Sequence, residues 1–93
     1  MAASDHDLPA LISTPPGLYR HYKGGMYAVL ATTRHSESLE PMTLYRALYG
    51  AHGLWVRPAA MFDELVDYQG VVQRRFVRIG ELPGGALDLA PRP

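Results

Sequence analysis

Tyr45, Tyr49, Trp55, Arg46 and Arg57 are the side chains best suited to hold a ligand. Aromatic faces stack on bases and other planar groups, while guanidinium groups pair with phosphate or carboxylate. His21 and Lys23 stand beside Gly24-Gly25, where backbone N–H groups and one ammonium could face an anion. A Gly pair lacks the long loop and following helix of a dedicated phosphate motif, so a plain hairpin turn with solvated neighbours competes with that use. Strand aromatics are often core, and Trp55 and Tyr27 fit an interior whose tyrosine hydroxyls find partners at the rim. His35, Glu37 and Glu40 share one loop that His21 or His52 could join around a divalent ion, but the spacing matches no zinc signature, and a solvated loop explains it as well. No metal site and no cofactor are therefore expected. Nor does a catalytic constellation stand out: there is no cysteine, no serine in a nucleophile elbow, and no carboxylate pair set across a cleft.

The elements that must position these groups are short strands. Pro15-Pro16-Gly17 punctuates the start of the fold, and Leu18 to Tyr22 reads as a strand leading into a turn at Lys23-Gly24-Gly25. Met26 to Thr33 is the clearest strand. Simple alternation places Tyr27, Val29 and Ala31 on one face and Ala28, Leu30 and Thr32 on the other. Apolar residues on both faces make it central. The polar run from Arg34 to Pro41 is a loop, and Met42 to Tyr49 is a strand with Met42, Leu44, Arg46 and Leu48 opposite Thr43, Tyr45, Ala47 and Tyr49. After the loop Gly50-Ala51-His52-Gly53, the strand Leu54 to Arg57 carries Trp55 and Arg57 on one side. Pro58 to Val66 predicts a short helix, with proline in its first turn and Phe62, Leu65 and Val66 on one face. Asp67-Tyr68-Gln69-Gly70 turns, and Val71 to Ile79 is a last strand whose arginines on both faces favour an edge.

This order predicts a mainly β protein: a small curled antiparallel sheet, most economically an SH3-like barrel, with one short helix before the last strand. The expected organisation is a flexible tail over 1–16, one domain over 17–80 and a second flexible tail over 81–93. With 93 residues and no cysteine there is room for one small core and no disulfide staple, which leaves a monomer or a homodimer as alternatives. Nine basic and nine acidic residues cancel, yet residues 17–57 carry five bases against two acids. That local excess suits an anion pocket, whereas long nucleic acid normally needs more unopposed charge. No segment reaches the roughly 20 apolar residues of a membrane span, so a cytoplasmic location with no membrane partner is expected.

The run Gly17-x-Tyr19-x-His21-Tyr22-Lys23-Gly24-Gly25-x-Tyr27-x-Val29 is followed by His35-Ser36-Glu37-x-x-Glu40-Pro41, Tyr45-Arg46-Ala47-Leu48-Tyr49-Gly50, Trp55-Val56-Arg57-Pro58, Met61-Phe62 and Arg75-Phe76. Together these resemble the bacterial family called Domain of Unknown Function 1653, over about two-thirds of the chain. Ser38 stands where the family pattern has threonine, a departure confined to one turn. The resemblance implies a short stand-alone protein without an established activity. Similar domains that occur beside nucleotide-hydrolysing Nudix modules connect it to nucleotides. Residues and resemblance together lead to a binding domain in which His21, Lys23, Tyr45, Arg46, Trp55 and Arg57 receive a nucleotide, a nucleic-acid end or an acidic peptide. The alternatives are an enzyme acting on a phosphorylated small molecule through His21, His35 and Glu37, and a structural subunit that dimerises through its aromatic face.

Overall fold

The computed structural model describes Leu11 and residues 13–85. The remaining parts of the two expected tails, 1–10, 12 and 86–93, lie outside the described residues. The elements are β1 (Gly17–His21), β2 (Met26–Arg34), β3 (Pro41–Ala47), β4 (Leu54–Pro58), α1 (Ala59–Phe62), β5 (Leu65–Tyr68), β6 (Val71–Arg74) and β7 (Phe76–Gly80). Five strands form one antiparallel sheet in the order β4-β3-β2-β1-β7, and β5 pairs with β6 as a separate ribbon. As its two-sided apolar pattern requires, β2 is central, and β7 takes an edge.

The aromatic side of the sheet holds the main core. Tyr19, Val29, Tyr45, Phe62 and Phe76 are buried together, with Tyr27 packed against them. Phe62 arrives from α1, which follows Pro58 directly, and its ring stacks on Phe76 at 4.1 Å between centroids. The edges of Tyr19 and Tyr45 meet the Phe62 ring at 5.4 and 5.3 Å, the T-shaped arrangement that ring quadrupoles favour. On the opposite side Ala28 and Leu30 are buried beneath Leu44, Leu48 and Leu82.

Ordered contacts begin before Gly17. The buried hydroxyls of Thr14 and Thr43 share a hydrogen bond of 2.6 Å, and the Thr14 N–H donates to Thr32 Oγ1 at 2.9 Å. The Tyr19 hydroxyl donates to the Pro15 carbonyl at 2.7 Å. Thr43→Val keeps the β-branched shape and strands the Thr14 hydroxyl, an expected loss of about 1–3 kcal/mol. Urea denaturation of the two proteins measures it, and equal midpoints would refute the assignment.

Four sequence expectations are corrected. The sheet curls but is open, with β4 and β7 each paired on one side only among the described residues, because the chain between them folds into α1 and the β5–β6 ribbon instead of bringing those edges together. The helix is four residues long and ends at Phe62. Leu65, expected on its buried face, is 64% exposed. Val66, Asp67 and Tyr68 pair with Gln73, Val72 and Val71 instead, joined by a turn in which Gln69 and Gly70 both have positive φ, 53° and 80°. Two such residues make the tight turn whose twist matches that of its strands.

The expected last strand is broken at Arg75. Its N–H donates to the Glu64 carbonyl, its carbonyl accepts from Tyr22 N–H, and its guanidinium reaches Glu64 Oε1 at 2.8 Å. Finally, β2 contains a bulge: Val29 opposes Tyr45, whereas Ala31 opposes Leu44. The extra residue reverses the alternation beyond it. Thr32 therefore joins Thr43 and Thr14 on the aromatic side rather than Leu30 on the aliphatic one.

Candidate ligand-binding site

Neighbouring strands bring the predicted residues onto the aromatic side in a row. Register pairs Tyr27 with Tyr19 on β1 and with Ala47 on β3, while Tyr45 faces Trp55 and Thr43 faces Arg57 on β4. Tyr27 lies at the centre of a ring cluster, 5.5 Å from both Tyr45 and Tyr49 and 5.3 Å from Phe76 between centroids. Its hydroxyl and that of Tyr49 form a very short hydrogen bond. Burial, followed by that bond, pushes the Tyr27 phenol up to about 12, so it stays protonated at neutral pH.

His21 closes the row at the end of β1. Its ring lies 4.9 Å from Phe76 and 4.4 Å from Tyr22, and its Nδ1 accepts from the Lys23 N–H at 3.1 Å. Burial lowers the imidazole pKa below its ordinary value, and the charges of Arg75, Lys23 and Arg57 lower it further. Three cations from three separate segments therefore act on one side chain. Two of them differ sharply in how they are satisfied. The Nε of each is buried without a hydrogen bond, but Arg75 has the Glu64 carboxylate, whereas the Arg57 side chain has no carboxylate and no hydrogen bond among the described residues. Lys23 Nζ sits over the Tyr22 and Tyr68 rings at 5.7 and 5.9 Å, which places Tyr68 of the ribbon beside the hairpin turn.

Of the six residues expected to bind, five lie on or beside this surface and differ in access. Trp55 is 60% exposed at the β4 rim, Tyr45 is only 7% exposed and forms the floor, and His21, Lys23 and Arg57 border it. Arg46 is on the opposite side of β3, 2% exposed, with its guanidinium donating to the His52 carbonyl at 2.7 Å. There it anchors the loop between β3 and β4 and cannot reach a ligand over Tyr45. Arg75 was not among the predicted residues. Its sequence neighbours read as a continuous strand, and nothing local signals that the chain breaks there.

His35 and Glu37 stand apart from His21. The nine residues of β2 separate the hairpin at Lys23 from the loop after Arg34, a span of roughly 25–30 Å. His35 Nδ1 accepts from the N–H groups of Glu37 and Ser38 at 3.1 and 3.2 Å, so it holds its own turn. Among the described residues no three His, Asp or Glu side chains converge as metal ligands, and no helix is long and apolar enough to cross a membrane.

The family model described as a protein of unknown function, DUF1653, matches residues 17–78. The chain belongs to the DUF1653 family. A crystal structure of a DUF1653 protein from Bordetella bronchiseptica is similar at a TM-score of 0.69 and 35% sequence identity, covering 75% of this chain and 92% of that one. No curated protein matches the chain. The DUF1653 segment contains every residue of the aromatic and basic surface, from His21 through Arg75, so the surface is built wholly within the family domain. The spaced motifs thus resembled the family to which the chain belongs.

Proposed function

We propose that this DUF1653 domain is a non-enzymatic, cytoplasmic binding module for a small planar anion of the nucleotide class, received between Arg57, Lys23 and His21 over the tyrosine floor. The observation that carries it is the Arg57 guanidinium: it shares the aromatic side with Trp55 and Tyr45, has no carboxylate partner among the described residues, and lies close enough to His21 for its charge to lower the imidazole pKa. A guanidinium left in this way favours a charge-assisted, bidentate partner, and the exposed Trp55 ring offers a stacking face beside it. Few unpaired cations border the surface, which suits one or two negative charges rather than a nucleic-acid backbone.

Titration of the protein with nucleoside monophosphates, followed by Trp55 fluorescence and by the His21 ring signals, tests the proposal. Arg57→Ala is expected to weaken binding by roughly 10–100-fold, the worth of a charged hydrogen bond. Spectra that stay unmoved by a full panel of nucleotides and short oligonucleotides would remove it.

The pKa shift of His21 sets the pH dependence. In the free folded protein the imidazole is neutral at pH 7, since its pKa lies below the ordinary value of about 6.5. Its contribution to stability is therefore present above about pH 6.5 and is lost as pH falls from there through the folded-state pKa. An anion placed beside the ring reverses the effect, raising the pKa and drawing in a proton. Sulfate, whose charge is constant over this range, is expected to bind more tightly at about pH 5.5 than at about pH 8, and His21→Gln should flatten that profile. An unchanged profile in the variant would exclude His21 from the site.

A further inference from the structure

We infer that the domain self-associates through the outer edge of β4, in an antiparallel two-fold pairing centred on Val56. The backbone decides which groups are offered. The Ala47 N–H donates to the Gly53 carbonyl at 3.1 Å, and β4 continues this register against β3 without a shift, from Leu54 opposite Arg46 to Pro58 opposite Met42. Hydrogen-bonded and non-hydrogen-bonded pairs alternate along an antiparallel ladder. The polar groups of Gly53, Trp55 and Arg57 consequently point toward β3, and those of Leu54, Val56 and Pro58 point outward. Among the described residues β4 has a strand neighbour on one side only. Proline, which has no N–H, stands at an outward position, where a missing donor costs the sheet nothing.

The outward edge is complementary to itself. Around a two-fold axis through Val56, residue 56 meets residue 56, 55 meets 57, and 54 meets 58. The two Val56 residues exchange both their N–H···O bonds, and each Leu54 N–H finds the opposite Pro58 carbonyl, while the proline, having no N–H, leaves each Leu54 carbonyl to water instead of a return bond. Trp55 of one copy and Arg57 of the other fall in a non-hydrogen-bonded pair, the closer kind, with Cα atoms about 4.5 Å apart on the aromatic side. The indole face then meets a guanidinium that has no carboxylate partner among the described residues, a cation–π contact made twice by symmetry. Stacking uses the guanidinium face and leaves its N–H rim available, so the pairing is compatible with an anion at that rim and competes only with a base stacked on Trp55. Leu54 and Val56, 41% and 56% exposed, cover their counterparts on the aliphatic side.

The other edges lack this fit. β7 carries a register irregularity at Leu18/Tyr19, and Arg78 projects from it to the Pro16 carbonyl and Glu81, devices that blunt an edge. On the β5–β6 ribbon, exposed Leu65 and Val72 are interleaved with Asp67 and Arg74, which leaves no continuous apolar surface. Five residues per copy bury less than the ~800 Å² per partner of a stable complex, so association in the micromolar range or weaker is expected.

Sedimentation across a dilution series should show a monomer–dimer equilibrium that Val56→Lys abolishes while the far-UV spectrum is retained. The chain has no cysteine, so single-cysteine variants report the contact without background. Opposed Val56 positions would have Cα atoms about 5.5 Å apart, within disulfide reach, so Val56→Cys should cross-link under mild oxidation and Val77→Cys on β7 should not. A wild-type chain that stays monomeric at the highest attainable concentration overturns the inference. So does cross-linking of Val77→Cys in preference to Val56→Cys. Adding sulfate leaves the dimer intact if the two sites are separate, and dissolution of the dimer by sulfate overturns the compatible arrangement.

Discussion

Phe62→Ala is expected to lower stability by roughly 3–5 kcal/mol, the cost of emptying a buried aromatic position in a core that collapses only partly around the gap. Phe62 is fully buried, stacked on Phe76 and flanked edge-on by Tyr19 and Tyr45, so its removal takes one partner from three rings at once. It is also the residue by which the four-residue α1 is fastened to the sheet, since Ala59 is the only other buried residue of that helix. In a domain of this size each kcal/mol moves the thermal midpoint by about 4–8 °C, which corresponds to a fall of roughly 12–40 °C. Met61→Ala is the control: its side chain is 43% exposed, and truncation there should move the midpoint by a few degrees at most. Thermal unfolding followed by circular dichroism reads both. A Phe62→Ala protein that melts with the Met61→Ala one would show that the stacked rings do not hold the fold.

Gly17→Ala should be the next most damaging change, because the neighbouring backbone leaves no room for a methyl group. A Cβ at Gly17 would lie 2.7 Å from the Gly80 carbonyl oxygen and 2.5 Å from Arg78 Nε. Arg78 can swing away, at the cost of its bond to the Pro16 carbonyl. The Gly80 carbonyl cannot move without pulling β7 from β1. A loss of about 1–3 kcal/mol follows, as for other overpacked sites. Gly80→Ala makes the contrast, since its added methyl would meet only Leu18, at 3.9 Å, and should be neutral or slightly stabilising. Equal urea midpoints for the two alanine variants would refute the steric argument.

Much of the sheet was legible because alternation is a local signal. The pattern of Met42 to Tyr49 set Arg46 opposite Tyr45, and that of Leu54 to Arg57 put Trp55 and Arg57 on one side. The register joins Tyr45 to that pair and leaves Arg46, expected in the same ligand groove, on the far side. What stayed hidden depended on partners distant in sequence. The β2 bulge is set by its pairing with β3, and no residue type marks it, so the reversal at Thr32 could not be read from alternation. Phe62, Leu65 and Val66 satisfy a helical spacing, and only the pairing of Val66 with Gln73 decides against it. Arg75 sits in a run that reads as one strand, and its carboxylate partner Glu64 is eleven positions earlier. The site divides in the same way. Trp55, Tyr45 and Arg57 were legible from their residue types, while the convergence of Arg75, Lys23 and Arg57 on His21 exists only once three segments are folded together.

The return of β7 beside β1 puts Leu18 opposite Gly80, so the sheet-forming segment starts and finishes a strand's width apart, about 4.8 Å. A unit whose two ends meet can be spliced into a surface turn of a host protein without prising that turn open. In architectural terms the sheet takes in and gives out its chain at the same corner.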